Sequence, residues 1–342
     1  MRVAMYYSNR DVRLAEMPVP AIGPGELLLR IQASGICGSD LMEWYRRDQA
    51  PLVLGHEITG EVAAVGEGVA GFAPGERVVA THHVPCNTCH HCLRGNHTVC
   101  ETLRRTRFHP GGFAEYVRLE PIHLDRGVYR LPPEVSFEEG TFVEPLACVV
   151  RGQRRVRLEP GAAVLVVGSG IAGLLHLQAA RALGAGRVAA VDLVESRLEA
   201  ALRLGADLAI HAREDVPARL RAANDGRLAD LVIVCAGARA AVEQGLAAVE
   251  RGGTVLLFAP TEPGVTIPIS VNDLFFRNDI TLTSSYAGAP ADLVTALELI
   301  RARRVRVEEM ITHRLGLAET GRGFALVAEG QGSIKVIVEP QR

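Results

Sequence analysis

The feature that most constrains the fold is a run of apolar residues that stops abruptly at a cluster of glycines. Residues 163–173 read AVLVVGSGIAG, and residues 174–186 continue as LLHLQAARALGAG. A continuous apolar run is typical of a parallel strand buried on both faces, whereas the stretch after it has the apolar period of a helix. The sequence therefore predicts a strand, a tight glycine turn and a helix in direct succession.

The alternation of strand and helix continues to about residue 283. RVAAVDL, ADLVIVCAG and GGTVLLFA are strand-like, and ESRLEAALRLGA has helical periodicity. Strands that alternate with helices favour an α/β fold with a doubly wound parallel sheet. We assign this domain to residues 146–283.

The glycines follow the pattern G-x-G-x-x-G at the mouth of the predicted helix. Such glycines permit a tight turn, a close approach of the backbone to a pyrophosphate and close packing of helix on strand. The first turn of the helix then offers free N–H groups to the phosphates. We predict a dinucleotide-binding turn made by Gly168, Gly170, Ile171, Ala172 and Gly173.

An aspartate ends the next predicted strand, nineteen residues after the last glycine. A carboxylate at this place accepts hydrogen bonds from the ribose hydroxyls of NAD and repels the 2′-phosphate of NADP. Asp192 therefore predicts NAD as the cofactor. Arg197 would contact the adenosine or, if NADP were used, partly offset Asp192. The alternative is a plain glycine turn followed by a surface aspartate.

Residues 1–145 have a different character. Short apolar runs such as ELLLRIQ, ITGEVAAV and RVVATHHV are separated by turn-forming segments such as IGPGE and GVAGFAPGE. This rhythm favours a barrel of antiparallel strands. The last segment, 284–342, combines the helical ADLVTALELIRARR with the strand-like SIKVIVEP, and we expect it to pack back on the first domain.

Composition limits the classes of function. A chain of 342 residues and 36.7 kDa suggests two domains. The net charge of −2, with no long run of one sign, disfavours binding to nucleic acid or to an anionic membrane. The N-terminal segment MRVAMYYSNRDVRLAE lacks the apolar core of a signal peptide. We therefore expect a cytoplasmic protein, in which cysteines bind metal or stay as thiols.

Four cysteines lie within the fifteen-residue segment CNTCHHCLRGNHTVC. Cys86, Cys89, Cys92 and Cys100 can close a tetrahedron around zinc, which prefers thiolate ligands. Four thiolates leave no position for water or substrate, so this lobe (86–100) predicts a structural zinc. A nucleic-acid-binding finger is disfavoured because Arg94 is the lobe's only arginine or lysine.

A second set of metal-binding residue types is spread over three segments. SGICGSD contains Cys37, LGHEITG contains His56 and Glu57, and FVEPLAC contains Glu144. Cysteine, histidine and carboxylate together hold a zinc that keeps one position open for chemistry. Spacing alone does not unite these segments, and each has an ordinary alternative: a buried thiol, a surface His-Glu pair, a glutamate at a helix start.

The order of the motifs resembles that of the zinc-containing medium-chain alcohol dehydrogenases. CGSD, GHE, the four-cysteine lobe, GGFAEYV and the glycine pattern follow one another as they do in that superfamily, over essentially the whole chain. The glutamate in VEPLA resembles the sorbitol/polyol dehydrogenase branch. This resemblance implies a GroES-like β-barrel catalytic domain over residues 1–145 and a Rossmann domain over residues 146–283.

The resemblance also implies roles for individual residues. Cys37, His56 and Glu144 would hold the catalytic zinc, and Glu57 would lie close enough to exchange with substrate or water. Ser39 matches the hydroxyl that takes the alcohol proton, and Asp40 matches the carboxylate that orients the zinc-bound histidine. Without the resemblance, Ser39 and Asp40 suggest an N-cap pair opening a helix.

Two departures from the family pattern bear on the substrate. Met42 stands where many relatives carry a histidine that ends the proton relay, so water or a polar neighbour would have to complete it. Ser285 stands where sorbitol-type enzymes tend to have an arginine, which weakens the case for long polyols. His82, Trp44 and Tyr286 would line the pocket or serve as packing residues.

The resulting prediction is a zinc-dependent, NAD-linked dehydrogenase of secondary alcohols or polyols with two zinc ions per chain. A cyclitol or an amino-alcohol such as threonine is an alternative substrate. A metal-stabilised NAD-binding protein without turnover is the alternative from another class. We expect a homo-oligomer, with a tetramer favoured over a dimer, and neither a nucleic-acid nor a membrane partner.

Overall fold

The computed structural model describes residues 1–156, 158–330 and 332–342. It divides into two compact units. The first comprises Met1–Ala147, Gly288–Arg301 and Val307–Arg342, and the second comprises Cys148–Ala287 and Ala302–Arg306.

The strands are, in chain order, β1 (Arg2–Ser8), β2 (Asp11–Glu16), β3 (Leu27–Gly35), β4 (Leu52–Val53), β5 (Glu57–Val65), β6 (Arg77–Ala80), β7 (Tyr116–Leu119), β8 (Val128–Arg130), β9 (Ala163–Val167), β10 (Arg187–Asp192), β11 (Leu208–His211), β12 (Ala229–Val234), β13 (Val249–Leu257), β14 (Thr281–Ser284), β15 (Ile311–Gly316) and β16 (Lys335–Glu339).

The α-helices are α1 (Glu43–Arg46), α2 (His90–Leu93), α3 (Glu101–Arg105), α4 (Pro121–Arg126), α5 (Phe137–Gly140), α6 (Val143–Val156), α7 (Ile171–Ala182), α8 (Glu195–Arg203), α9 (Val216–Ala223), α10 (Arg239–Ala247), α11 (Val271–Leu274), α12 (Pro290–Arg301) and α13 (Thr320–Glu329). Short 3₁₀ turns, such as Gly38–Leu41, connect some of these elements.

The first unit is built on a seven-stranded sheet in the order β15-β16-β3-β5-β6-β8, with β7 also paired to β3. Its pairs are antiparallel except β15 with β16. Leu29, Ile31 and Ile58, on β3 and β5, are fully buried, as expected for strands that turn one face to a core. The C-terminal strand β16 pairs with the end of β3, where Ile337 lies opposite Gly35.

The second unit is a six-stranded parallel sheet in the order β11-β10-β9-β12-β13-β14. Counted from β9, this is the 3-2-1-4-5-6 order of a doubly wound dinucleotide-binding sheet. The central strands β9, β10 and β12 are buried along nearly their whole length, and Leu165, Val191, Val232 and Val255 are fully buried. The predicted parallel α/β unit is confirmed.

No helix in the described part of the chain is both long enough and apolar enough to cross a lipid bilayer.

Candidate active site and metal centres

Strand pairing brings Cys37 and His56 together. Strand β3 ends at Gly35, two residues before Cys37, and β5 begins at Glu57, one residue after His56. Gly35 and Glu57 are register partners in the antiparallel pair. Cys37 and His56 are distant in sequence, but they therefore lie next to the same paired end of β3 and β5.

The donor atoms at this place suit a metal ion. The thiol sulfur of Cys37, one ring nitrogen of His56 and one carboxylate oxygen of Glu57 lie within 4.8 Å of one another. Sulfur, imidazole nitrogen and carboxylate oxygen are the ligand types of catalytic zinc sites. The residues present therefore fit a zinc ion.

Asp40 supports both the cysteine and the histidine. It is fully buried, its Oδ1 lies 3.3 Å from Nδ1 of His56, and its Oδ2 accepts a 3.0 Å hydrogen bond from the backbone N–H of Cys37. A carboxylate that holds one ring nitrogen leaves the other available as a metal ligand. Asp40 is also the third residue of the 3₁₀ turn Gly38–Leu41, where its side chain caps the N-cap residue Cys37. The α-helix begins only at Glu43 with Met42 as its N-cap, so Ser39 and Asp40 do not open that helix.

Asp40 and His56 each stabilise the charged form of the other. Burial alone would lower the pKa of His56, but the charge of Asp40 and the contact with Cys37 outweigh it and raise this pKa well above its usual value. Burial opposes ionisation of Asp40 too, yet the neighbouring His56 lowers its pKa.

Ser39 lies against the thiol. Its Oγ is 3.4 Å from Sγ of Cys37, and its backbone N–H donates to the same sulfur at 3.5 Å. The Nε of Arg46 donates to the Ser39 carbonyl at 3.3 Å. The Ser39 hydroxyl thus belongs to the cluster of Cys37 and His56, while Met42, three residues on, offers no group that carries a proton.

Glu144, at the start of α6, is grouped with two histidines. One donor atom each from Glu144, His82 and His83 lies within 4.8 Å of the others. The ring centroids of His82 and His56 are 4.9 Å apart, so this group adjoins the one around Cys37. The structure thus places Glu57 with Cys37 and His56, and Glu144 with His82 and His83.

Both histidines beside Glu144 are held neutral. Burial lowers the pKa of His82 well below its usual value and that of His83 to about 3, with nearby cationic groups acting in the same direction. Nδ1 of His82 is buried and has no hydrogen-bond partner among the described residues. From the sequence, His82 is predicted only as a pocket or packing residue, and His83 is not predicted at all. The adjacent pair directly after an apolar strand, in RVVATHHV, was the available signal.

The remaining pocket candidates are open to solvent. Trp44 and Tyr286 are both exposed.

The lysine at the start of β16 reaches the same region from the C-terminal segment. Its ammonium forms an ion pair with the carboxylate of Glu57, and both side chains are almost completely buried. The family resemblance suggests for Lys335 only a contact with the cofactor phosphates. Its contact with Glu57 is not predicted, because the pairing of β16 with β3 that brings it there has no local signature.

The four cysteines of the lobe form a separate cluster. The sulfurs of Cys86, Cys89, Cys92 and Cys100 lie within 4.8 Å of one another, and all four are free thiols. Hydrogen bonds from the backbone and side chain of Thr88 and from Cys89 lower the pKa of Cys86 to about 5. Four converging sulfurs fit a zinc ion with no further position for a ligand.

The glycine turn has the geometry that its pattern predicts. Gly168 adopts φ = +96°, in the left-handed region that glycine favours. A side chain on Gly173 would collide with the carbonyl oxygen of Gly168, so only glycine permits this packing of α7. Gly170 is the N-cap of that helix, which begins with Ile171 and Ala172. The first N–H groups of α7 are thereby offered at the turn.

Asp192 ends β10 and is tied to the glycine turn. Its Oδ2 accepts a 2.7 Å hydrogen bond from the backbone N–H of Ser169, and its Oδ1 accepts one of 2.9 Å from Val194. Each carboxylate oxygen keeps a lone pair for another donor. The guanidinium of Arg197 lies 3.9 Å from Oδ2, so a positive charge stands beside the carboxylate.

Comparison with known proteins decides the family. Residues 23–132 match the alcohol dehydrogenase GroES-like domain, and residues 172–302 match the zinc-binding dehydrogenase domain. The chain belongs to the zinc-containing medium-chain alcohol dehydrogenases. The predicted fold class, a GroES-like domain with a Rossmann domain, is thereby confirmed. As a member of this superfamily, the chain is a zinc-dependent oxidoreductase that uses a nicotinamide cofactor.

Three relatives illustrate the match. Sorbitol dehydrogenase of Gallus gallus is 32% identical over 340 residues, which cover 96% of this chain and 93% of that protein. Alcohol dehydrogenase TADH from Thermus sp. ATN1 is 30% identical, with a TM-score of 0.86 over 99% of both chains. A putative zinc-binding dehydrogenase from Sinorhizobium meliloti 1021, solved bound to NADP, is 28% identical with a TM-score of 0.87 over 99% of both chains.

Proposed function

We propose that this protein oxidises a secondary alcohol or polyol with NAD, and reduces the matching ketone in reverse. The observation that carries the proposal is the cluster of Cys37, His56 and Ser39, in which two metal donors and a hydroxyl share one partly buried place backed by the buried Asp40. The likeness to sorbitol dehydrogenases supports the polyol class.

The metal site follows from the donor chemistry. We propose that Cys37, His56 and Glu144 hold a catalytic zinc and that Glu57 is an exchangeable ligand. The position of Glu144 beside His82, whose ring adjoins that of His56, supports its inclusion. A zinc ion in such a site acts as a Lewis acid that makes an alcohol proton easier to remove. A second, structural zinc would occupy the four-cysteine lobe, giving two ions per chain.

The protein's own residues would manage the proton and the orientation. The Ser39 hydroxyl, beside Sγ of Cys37, would accept the proton of the alcohol and pass it on. Asp40 would keep Nδ1 of His56 protonated and the ring fixed, so that its other nitrogen stays directed at the metal. Since Met42 cannot relay a proton, water would take it from Ser39.

The choice of NAD depends on Asp192. Its carboxylate stands at the end of β10 next to the glycine turn, where it would accept the ribose hydroxyls of NAD. Two observations are reasons to test NADP as well: the guanidinium of Arg197 lies beside Asp192, and one relative was solved bound to NADP. A kcat/KM with NADP equal to that with NAD would contradict the role given to Asp192.

The decisive experiment is a screen of NAD reduction over simple secondary alcohols, pentitols, hexitols, inositols and threonine, with metal analysis of the same sample. We expect two zinc ions per chain, one removed more readily and with loss of activity. A single non-exchanging zinc and no NADH from any alcohol would support a non-catalytic NAD-binding protein instead.

Two wider expectations accompany the function. We expect a cytoplasmic location, because the four cysteines of the lobe are not joined in disulfides and the cytoplasm keeps cysteines reduced. We also expect a homo-oligomer, with a tetramer favoured over a dimer, which light scattering on the purified protein would test.

A further inference from the structure

Lys335 is the only lysine in a chain that otherwise uses arginine for its basic residues. Its side chain has no exposed surface. The ammonium forms its ion pair with Oε2 of Glu57 and donates a 3.1 Å hydrogen bond to the carbonyl of Ile36. A buried ammonium is costly unless it is paired and hydrogen-bonded, and this one is both.

The ammonium of Lys335 contacts three residues, and each of them lies within two positions of a proposed zinc ligand in the sequence. Ile36 precedes Cys37, and Glu57 follows His56. The third contact is the ring of Phe142, whose centroid is 5.6 Å from Nζ and which lies two residues before Glu144 on the chain. One cation thus joins three ligand segments that the sequence keeps far apart.

The backbone leaves room for the ion pair only because residue 35 is glycine. A Cβ at Gly35 would collide with Oε2 of Glu57 and lie 2.6 Å from Cε of Lys335. Gly35 has no positive φ, so turn geometry does not require glycine here. Space for the Lys335–Glu57 pair is the reason that the structure offers.

The two oxygens of Glu57 differ in their surroundings. Oε2 is bound by Lys335, whereas Oε1 is buried with no hydrogen-bond partner among the described residues. A carboxylate oxygen of Glu57 also lies within 4.8 Å of the donor atoms of Cys37 and His56. A buried oxygen without a donor, beside metal ligands, is an acceptor that a cation would satisfy.

We propose that Lys335 is a positioning residue that keeps Glu57 a weak, exchangeable zinc ligand rather than a permanent one. The inference rests on the proposed metal site and goes beyond it by naming the group that controls exchange. By binding Oε2, Lys335 fixes the carboxylate and withdraws charge from it. Without the ammonium, the same carboxylate would bind a divalent cation more strongly and occupy the position that the substrate needs.

The test is the change Lys335→Met, which replaces the ammonium by an unbranched apolar side chain of similar length. The readout is transfer of zinc from the purified enzyme to a chromogenic chelator. We expect release of the catalytic zinc to be about tenfold slower than in the wild type, an effect at the low end of those seen for groups that orient metal ligands. Zinc release from the four-cysteine lobe serves as the internal reference and stays unchanged.

A second readout reports the open position directly. In enzyme with cobalt exchanged into the catalytic site, azide titration follows binding of an outside ligand. We expect azide to bind about tenfold more weakly in Lys335→Met, because Glu57 occupies its place. A merely structural lysine predicts the opposite sign, namely faster zinc loss and unchanged or tighter azide binding, and that result overturns the proposal.

A double variant covers the case in which the single change impairs folding. Lys335→Met with Glu57→Gln removes both charges, so no buried charge is left unpaired. We expect zinc release from this variant to be faster than from the wild type, because the carboxylate is gone. Release no faster than in the wild type would show that Glu57 contributes nothing to zinc binding and would also overturn the proposal. Neither readout requires turnover, so failure of the alcohol screen would be recognised separately.

Discussion

A buried histidine behind the glycine turn makes the second unit sensitive to acid. His176 lies on α7, is fully buried, and packs edge-on against Phe258 with ring centroids 4.4 Å apart. Its Nδ1 lies 3.3 Å from the side-chain amide nitrogen of Gln153. Burial lowers the pKa of His176 from 6.5 to about 3. The imidazole is therefore neutral in the folded protein over the physiological range.

The sign of the effect follows from the direction of this shift. Between pH 6.5 and pH 3 the unfolded chain binds a proton at His176 that the folded chain does not, so stability falls as pH falls through this window. With these two pKa values, the loss at pH 5 relative to pH 8 is about 2 kcal/mol. That is a large share of the roughly 5–15 kcal/mol that stabilises an ordinary domain.

The matched variant is His176→Leu, which keeps an apolar body at the position but cannot titrate. We expect the free energy of local opening of α7, measured by amide hydrogen exchange at pH 8 and pH 5, to fall by about 2 kcal/mol less in the variant than in the wild type. Because other buried histidines titrate identically in both proteins, the difference isolates His176. Equal losses in the two proteins would refute the assignment.

The other predictions concern the site. Cys37→Ser should abolish turnover while leaving NADH binding intact, which a fluorescence titration would check. Loss of NADH binding together with turnover would point to misfolding instead. Asp40→Asn should speed zinc release to a chelator by about 10- to 100-fold, since the charge that orients His56 is removed. Cys89→Ser should lower the melting temperature, and normal melting would contradict a structural zinc. Asp192→Asn keeps an acceptor for Ser169 but removes the charge, so the ratio of kcat/KM for NAD to that for NADP should fall at least about tenfold.

Local patterns predicted the parts of this protein that are local in sequence. The glycine turn and Asp192 lie within one strand-turn-helix-strand unit, and the four cysteines lie within fifteen residues. In both, the chemistry fixes the spacing: a pyrophosphate needs glycine at set positions, and a metal needs ligands within a few ångströms. The periodicity of buried strands likewise predicted the parallel sheet, because both of its faces are covered.

The cluster of Cys37 and His56 could not be predicted from local patterns. Cys37 and His56 meet because β3 and β5 pair in one register, and a register is a property of two strands rather than of either sequence. Resemblance to a family supplied the grouping that spacing could not. It did not supply His83, the position of Glu144 beside the two histidines, or the Lys335–Glu57 pair.

The Lys335–Glu57 ion pair depends on the pairing of the C-terminal strand with β3. Lys335 is the first residue of β16, whose pairing with β3 joins segments some 300 residues apart. Without β16 in the sheet, Glu57 would have no ammonium beside it, and the proposal expects its carboxylate to bind a cation more strongly. On the proposal above, pairing of β16 with β3 would both complete the sheet of the first unit and weaken Glu57 as a zinc ligand. If Lys335 acts as proposed, the C-terminal strand is part of the active site although it carries no zinc ligand itself.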